Sequence, residues 1–322
     1  MRCTSCSSDV TSAKAVSPLV SHSTRNDLNR SSCESVASSA GLNASQLTHL
    51  HATAKKAAEH GAAQLMVHYG RLSNIRSKGR QGDLLTEADE AAEAAVLKLL
   101  QTETPKIGIL AEESGHLGPQ DGLQWMVDPL DGTTNFAHGY PFFATSVGLC
   151  WNGAPLLGAI AVPYLKQIFH SCPGQGAFCN DAPIAVSQCS DLKDSLLVTG
   201  FAYDRHTRLD NNYAEFCWLT HRTHGVRRGG AAAVDLAFVA AGLLDGYWER
   251  GLAPWDLAAG VALVQQAGGV VSDYDRSPFQ LGSGRVLASN PALHSQISSE
   301  LAQVKPLLGE VIGEPNLGLM GS

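Results

Sequence analysis

The sequence predicts an α/β chain, α+β in the segregation of its elements, on three observations. Stretches with apolar residues at helical spacing alternate with short apolar runs bounded by Gly and Pro. The tract 142–179 strings several such runs together with Asn152-Gly153, Pro163 and Pro173-Gly174 as turns, which reads as an antiparallel meander. The 32 glycines, many in X-Gly turns, suit a strand-rich chain, and 322 residues at 44% hydrophobic content supply a core for one or two lobes.

In chain order, residues 1–44 are rich in Ser, Thr, Ala and Asn without an apolar stripe, so disorder is expected there. The Ser content would suit a transit peptide to a plastid stroma. The acids Asp9, Asp27 and Glu34 and the weak amphipathicity argue against one; an over-extended start of a cytoplasmic chain is an equal expectation. Leu47, Leu50, Ala54, Ala57, Ala58, Leu65 and Val67 predict a helix ending near Gly70. A short strand over 75–80 and a Gly82 turn precede a second helix, 86–102, with Ala92, Ala95, Val96, Leu99 and Leu100 on its buried face. Ile107–Ala111 and Trp125–Val127 read as buried strands; Pro129, lacking an N–H, should end the second. Beyond the meander come a strand at 195–199, a helix at 210–223, a strand at 226–228 and an Ala-rich helix at 231–243. A strand at 245–249 and a helix opened by Pro254 follow, then strands at 270–271 and 286–288 and a helix from Pro291 to about Val304. The expected organisation is an extension, 1–44; a folded unit, 45–305, with lobes of about 45–185 and 186–305; and a loose tail, 306–322.

The formal net charge of -7 gives no general attraction to nucleic acid or anionic lipid. No apolar run approaches the ~20 residues of a membrane span. The eight cysteines lack framework spacing, which favours reduced thiols, and Cys3-x-x-Cys6 has no second pair nearby to make a zinc site.

Chemistry concentrates at element ends. Glu112 follows one strand, Asp128 the next, Asp131 opens the turn Asp131-Gly132-Thr133-Thr134, and Asp256 and Asp89 lie in first turns of helices. Neighbouring strands would bring Glu112 and Asp128 together. Carboxylates bind hard cations, and the free N–H groups of Gly132 and Thr133 could face an anion. Such a set suits phosphate-ester hydrolysis on two Mg²⁺ ions about 3.5–4 Å apart, with Asp128 as the shared ligand. Plainer roles stand beside this one: a helix cap for Asp256, a dipole-favoured acid for Asp89, a solvated loop for Glu112-Glu113. Arg227-Arg228 is either a solvated strand-edge pair or one that faces phosphate. A strand-tip acid carries no core packing, so Asp131→Asn is expected to spare the fold.

Four segments together resemble the inositol monophosphatase family. They are Trp125-x-x-Asp128-Pro129-Leu130-Asp131-Gly132-Thr133-Thr134-Asn135-Phe136; Trp255-Asp256-x-x-Ala259-Gly260 with Gly268-Gly269; Glu112-Glu113-Ser114; and Asp83-Leu84-x-Thr86-x-x-Asp89. The tract from Gly200-Phe-Ala-Tyr-Asp204 to Gly246-Tyr-Trp-Glu-Arg250 is most similar to the cyanobacterial and plastid branch. The resemblance implies an αβαβα layered sandwich, a homodimer, and a Mg²⁺-dependent, lithium-sensitive phosphatase. It implies one metal on Glu112, Asp128 and the Leu130 carbonyl, a second on Asp128, Asp131 and Asp256, and a weaker third leaning on Glu112. Thr133 with Asp89 would activate water, and Gly132 and Thr133 amides would hold phosphate. Asp131, Gly230, Ala232, Glu249 and Asp256 would face inositol hydroxyls, and Lys78 would lie near the metal loop. Departures are Ala231 and Pro254, where animal members commonly carry Thr and Cys. Alternative activities in the family act on histidinol phosphate, fructose 1,6-bisphosphate or 3′-phosphoadenosine 5′-phosphate, and some bacterial relatives act as interaction proteins of the transcription machinery. The partners expected here are a small phosphate ester and a second copy, with no nucleic acid and no membrane.

Overall fold

A computed structural model describes residues 27–79 and 84–306. Residues 1–26, with Cys3-x-x-Cys6, the Gly82 turn with Asp83, and the tail from 307 lie outside the described residues. The first part of the chain comprises α1 (Asp27–Ser39), α2 (Ala44–His68), β1 (Ile75–Ser77), β2 (Leu84–Thr86) and α3 (Glu87–Glu103). Next come β3 (Gly108–Ala111), β4 (Gly115–Leu117), β5 (Leu123–Asp131), α4 (Thr133–Ala137), β6 (Ala144–Trp151), β7 (Ala154–Val162), β8 (Gln167–Cys172), β9 (Gly176–Cys179) and β10 (Ala182–Ile184). The last part holds β11 (Leu196–Thr199), α5 (Tyr213–Thr220), β12 (Gly225–Arg228), α6 (Ala232–Ala240), β13 (Gly246–Arg250), α7 (Pro254–Gln266), β14 (Val270–Ser272), β15 (Arg285–Ser289) and α8 (Pro291–Leu301).

Eight strands form a first sheet in the order β10-β9-β8-β7-β6-β5-β3-β4. The expected meander is its antiparallel part, and β3 lies parallel to β5, which brings the strand ends bearing Glu112 and Asp128 side by side. Five strands form a second sheet in the order β12-β11-β13-β15-β14. The period-two alternation of strands assigns the layers. In β5, Trp125 and Val127 pack toward α2 and α3, whereas Met126 packs toward α6 and α7. In the second sheet Leu197, Trp248 and Leu287 meet α5 and α8, whereas Val198, Tyr247 and Val286 share the core with α6 and α7. The result is the expected αβαβα stack, and the two anticipated lobes share one apolar core through α6 and α7. Close approach sets the middle layer: a Cβ on Gly148 or Gly158, paired across β6 and β7, would lie 2.6 or 2.5 Å from Ala259 backbone atoms of α7.

Three expectations are corrected. Disorder through residue 44 gives way to a helix at 27–39, where Cys33 and Ala37 are buried and Val36 packs beside them. That three-residue stripe is short and lies among serines, so it leaves little apolar signal. The strand before Pro129 does not stop there. It continues to Asp131 through a register shift between Asp128 and Asp131, a bulge that accommodates the missing N–H. The helix expected at 210–223 is α5, Tyr213–Thr220, because Asn212 takes φ +68° and Asn211 Oδ1 accepts from Tyr213 N–H at the turn into it.

Candidate active site

The bulge in β5 turns Asp128 and Asp131 toward one cavity. Asp128 Oδ1 accepts from Leu130 N–H (2.9 Å), and Thr145 Oγ1 donates to the Pro129 carbonyl (2.9 Å), so the irregular backbone is satisfied. Gly132, at φ +87°, then swings the chain into α4; its missing side chain lets Phe142 O and Ala231 Cβ approach. Glu112 reaches the cavity from the end of β3, its N–H donating to Val127 O (3.1 Å). Asp256 enters from the first turn of α7, where its Oδ2 also accepts from Ala253 N–H (2.8 Å). Its capping role and its place in the acid cluster therefore coexist. The cavity, about 530 Å³, is lined by these four acids with Lys78, Glu113, Thr133, Gly230 and Glu249 among others.

Electrostatics dominate this space. The carboxyl of Asp128 lies close enough to those of Glu112 and Asp256 for each to influence the ionisation of the other. Acids this close share protons unless a cation intervenes. Burial, then repulsion from Glu112, Asp131, Asp256 and Asp89, holds Asp128 well above the usual carboxylate range. Burial and the charge of Glu112 raise Asp256 to about 8. Burial raises Asp131 to about 7 against the pull of three backbone amides. Lys78 Nζ bridges Glu112 (2.7 Å) and Glu113; burial opposes its charge, yet the two glutamates hold its pKa above the ordinary lysine value. Among the described residues no trio of His, Cys, Asp or Glu is spaced as a finished metal site. The donors nevertheless suit one. They are hard carboxylate oxygens with the Leu130 carbonyl beside them, and their shared protons are what a divalent ion would replace.

Thr133 Oγ1 lies 3.3 Å from Asp89 Oδ1 and 3.0 Å from Leu130 O. Asp89 is fully buried at the start of α3, and its Oδ2 accepts from Thr86 N–H (2.8 Å) and Oγ1 (2.6 Å). Burial, partly offset by Thr86, raises it to about 6.

Asp131 departs from expectation. Its Oδ1 accepts from Ala232 N–H (3.0 Å), and its Oδ2 from Ala233 (2.8 Å) and Val234 (3.4 Å). It caps α6 as well as facing the cavity, so the assumption that this strand-tip acid is irrelevant to packing is corrected. Gly230 and Ala232 sit at that helix start, as placed from the sequence. Ala231 is buried beside Gly132.

Glu249 enters from β13. Burial raises it to about 7, against the Tyr247 hydroxyl (2.6 Å) and the charge of Arg228. Three residues with roles here are assigned none by the sequence, although Gly200 and Tyr247 lie in the tract most similar to the cyanobacterial and plastid branch. Tyr247 holds Glu249 from two positions back on the same strand face. Gly200 leaves room for that carboxylate, since a Cβ there would lie 2.2 Å from Glu249 Oε2. Glu93, one turn beyond Asp89, accepts from Glu113 N–H (2.9 Å) and from the Ser114 hydroxyl, fixing the turn after Glu112. Asn135 lies inside the motif but shows its part only in three dimensions: its Nδ2 donates to Phe142 O (2.7 Å) and Gly229 O (3.0 Å), tying α4 to the loop before α6.

Comparison with known proteins places the chain in a family. Residues 46–305 match the inositol monophosphatase family. The chain is 52% identical over 241 residues to an inositol-1-monophosphatase of Synechocystis sp., covering 74% of this chain and 84% of that one. It is 40% identical over 261 residues to a chloroplastic phosphatase of Arabidopsis thaliana, covering 79% and 70%. The solved inositol monophosphatase of Anabaena (Nostoc) sp. PCC 7120 superposes with a TM-score of 0.75 at 49% identity, covering 81% of this chain and 98% of that structure. No described helix is long and apolar enough to cross a membrane. The chain belongs to the inositol monophosphatase family and is a phosphatase.

Proposed function

We propose that the chain hydrolyses myo-inositol 1-phosphate or a closely related polyol phosphate, with Mg²⁺ held by Glu112, Asp128, Asp131, Asp256 and the Leu130 carbonyl. The observation that carries this reading is the meeting of Asp128 with Glu112 and Asp256 in a buried pocket with too little positive charge of its own. When bound, Mg²⁺ supplies an acidified water and neutralises the phosphoryl oxygens. The chain does the rest. Asp89 accepts from the Thr133 hydroxyl, which leaves the lone pairs of Thr133 Oγ1 turned to the water it orients. The amides of Gly132 and Thr133 hold the phosphate. Glu249, steadied by Tyr247, accepts from a polyol hydroxyl, with Gly230, Ala232, Asp131 and Asp256 shaping the remaining wall. Lys78 keeps Glu112 and Glu113 in place by charge until the ion takes over.

A homodimer belongs to this reading. Exposed Tyr140, Tyr164 and Leu165 cluster near Tyr69, whose ring lies 5.5 Å from Tyr164 and whose hydroxyl bonds to Gly139 O. The test is a kinetic panel with Mg²⁺, with and without Li⁺ or EDTA. Myo-inositol 1-phosphate should lead, Li⁺ should inhibit, and EDTA should abolish turnover. Equal or faster hydrolysis of histidinol phosphate would remove the inositol assignment.

A further inference from the structure

We propose that Arg205 and Arg228 form a distal anion subsite on the rim of the cavity, which gives added affinity, beside the polyol monophosphate, to ligands carrying a second phosphate or carboxylate. The proposal rests on the phosphatase reading above and names a ligand class for the same pocket.

Both arginines line the cavity whose floor holds the acids. Their neighbours define what is unusual about them. Arg208 Nε pairs with Asp204 (2.9 Å), Arg250 Nη2 pairs with Asp204 (2.7 Å), and Arg285 pairs with Asp210. Asp204, adjacent to Arg205 in sequence, is thus committed to other cations. The Arg205 side chain makes one hydrogen bond, Nη1 to Ala202 O (3.2 Å), and has no carboxylate partner among the described residues. A guanidinium has five N–H donors in a fork suited to phosphate, so most of that capacity is open. The Arg228 side chain makes no hydrogen bond or ion pair among the described residues. It lies against Gly230, where a Cβ would fall 2.2 Å from its Nη1 and the guanidinium would have to shift.

Arg228 already feels the buried carboxyls of Glu249 and Asp235 across space, but neither guanidinium closes an ion pair with a carboxylate among the described residues, so both keep N–H donors for an anion in the cavity. The scissile phosphate has its own place on the floor, at Gly132 and Thr133. A guanidinium on the rim is therefore set for a second group on the same molecule. A volume of about 530 Å³ leaves space for a polyol between the two.

The experiment uses the full chain with Mg²⁺ and a ladder of straight α,ω-alkanediols from propane to hexane. Each diol is supplied as its monophosphate and its bisphosphate, and each is assayed as a competitor of myo-inositol 1-phosphate hydrolysis. At one chain length the bisphosphate should bind at least about tenfold more tightly than its monophosphate, as one charge-assisted Arg–phosphate contact supports. That advantage should shrink with added salt, because the rim is partly exposed. In the double variant Arg205→Met, Arg228→Met it should fall to about twofold or less, with monophosphate inhibition constants changed by less than about twofold. Arg228→Lys should restore part of it. A bisphosphate advantage below about threefold at every length in the unmodified protein overturns the subsite, and this arm needs no variant to fold. An equal loss for monophosphates and bisphosphates in the double variant overturns it too, because the arginines would then serve the scissile group. If no compound, myo-inositol 1-phosphate included, is turned over or binds, both readings fail together.

Discussion

Two clusters of charge, one buried around Asp128 and one half-exposed around Arg250, are balanced differently. Around Arg250 at the end of β13, cations and anions alternate: Arg250 meets Asp204 and Asp210, Arg285 meets Asp210 and Asp273, and Arg208 meets Asp204. Around Asp128, five acids (Glu112, Asp128, Asp131, Asp256 and Asp89) gather with Lys78 as the cation paired to them. The first cluster lowers Asp204 below the usual carboxylate range through Arg250, whereas the second raises every acid in it. A balanced cluster serves the fold by holding the 201–212 loop. An unbalanced one costs stability and persists where an external cation supplies the missing charge.

The sharpest way to test that contrast is Asp128→Asn. Turnover should drop by about 10³-fold or more, because the residue central to the cluster loses its charge. Without metal, however, the variant should melt higher than the parent, since one repelling carboxyl is gone. A lower melting temperature in EDTA would place Asp128 among the groups that hold the fold, and the two clusters would then be alike. The balanced cluster should respond in the opposite way. Arg250→Met should cost about 2 kcal/mol in denaturant unfolding, less than a fully buried pair loses, because Asp204 and Asp210 keep Arg208 and Arg285 and are partly wet. No change in the denaturation midpoint would mean that the balance is incidental.

pH separates the clusters more gently. In the metal-free protein, Asp89 stands at about 6, Asp131 and Glu249 at about 7, and Asp256 at about 8, all above their ordinary values of 3.8 or 4.5. The folded state therefore binds more protons than the unfolded chain between these limits, and stability falls as pH rises. The contribution is complete below about pH 4 and is lost by about pH 8. In EDTA the melting temperature should fall by about 5 °C or more across that window, and Mg²⁺ should flatten the slope. A flat profile in EDTA would show that the carboxyls are not strained by one another.

These contrasts were unevenly legible in the sequence. The acids could be read because each sits at the end of an apolar run or in a first helical turn, where the fold leaves a side chain free. Adjacent strands β3 and β5 then bring Glu112 to Asp128. Asp131 as the cap of α6 could not be read, because the amides it accepts from lie 101 to 103 positions away and nothing local marks the pairing. The same holds for Gly200, whose need for small size comes wholly from Glu249, and for α1, whose few apolar residues are hidden among serines. Arg228 was left open between solvent and phosphate because strand register alone does not say which edge borders a cavity. The wall of Pro129 was misjudged for a local reason: a bulge lets a strand carry a proline where an ideal ladder would end.

The smallest expected effect concerns Glu93, which lies in neither cluster but steadies the acid one. Its carboxylate accepts from Glu113 N–H and the Ser114 hydroxyl, so the turn that presents Glu112 is fixed from α3, the helix that also carries Asp89. In Glu93→Gln the amide keeps one acceptor oxygen and turns N–H donors toward a donor, which loosens the turn without emptying space. Outer-shell partners of metal ligands change metal affinity by about 10–100-fold, and the lower end is expected here because half of the contact survives. The Mg²⁺ concentration for half-maximal activity should rise about tenfold, while kcat at saturating Mg²⁺ stays within about twofold. Ser114→Ala, which removes one of the two donors, should shift the same midpoint by less. If Glu93→Gln instead lowers kcat at saturation and leaves the Mg²⁺ midpoint alone, Glu93 acts on Asp89 along their shared helix and not on the acid cluster, and the turn at Glu112 is held by Lys78 alone.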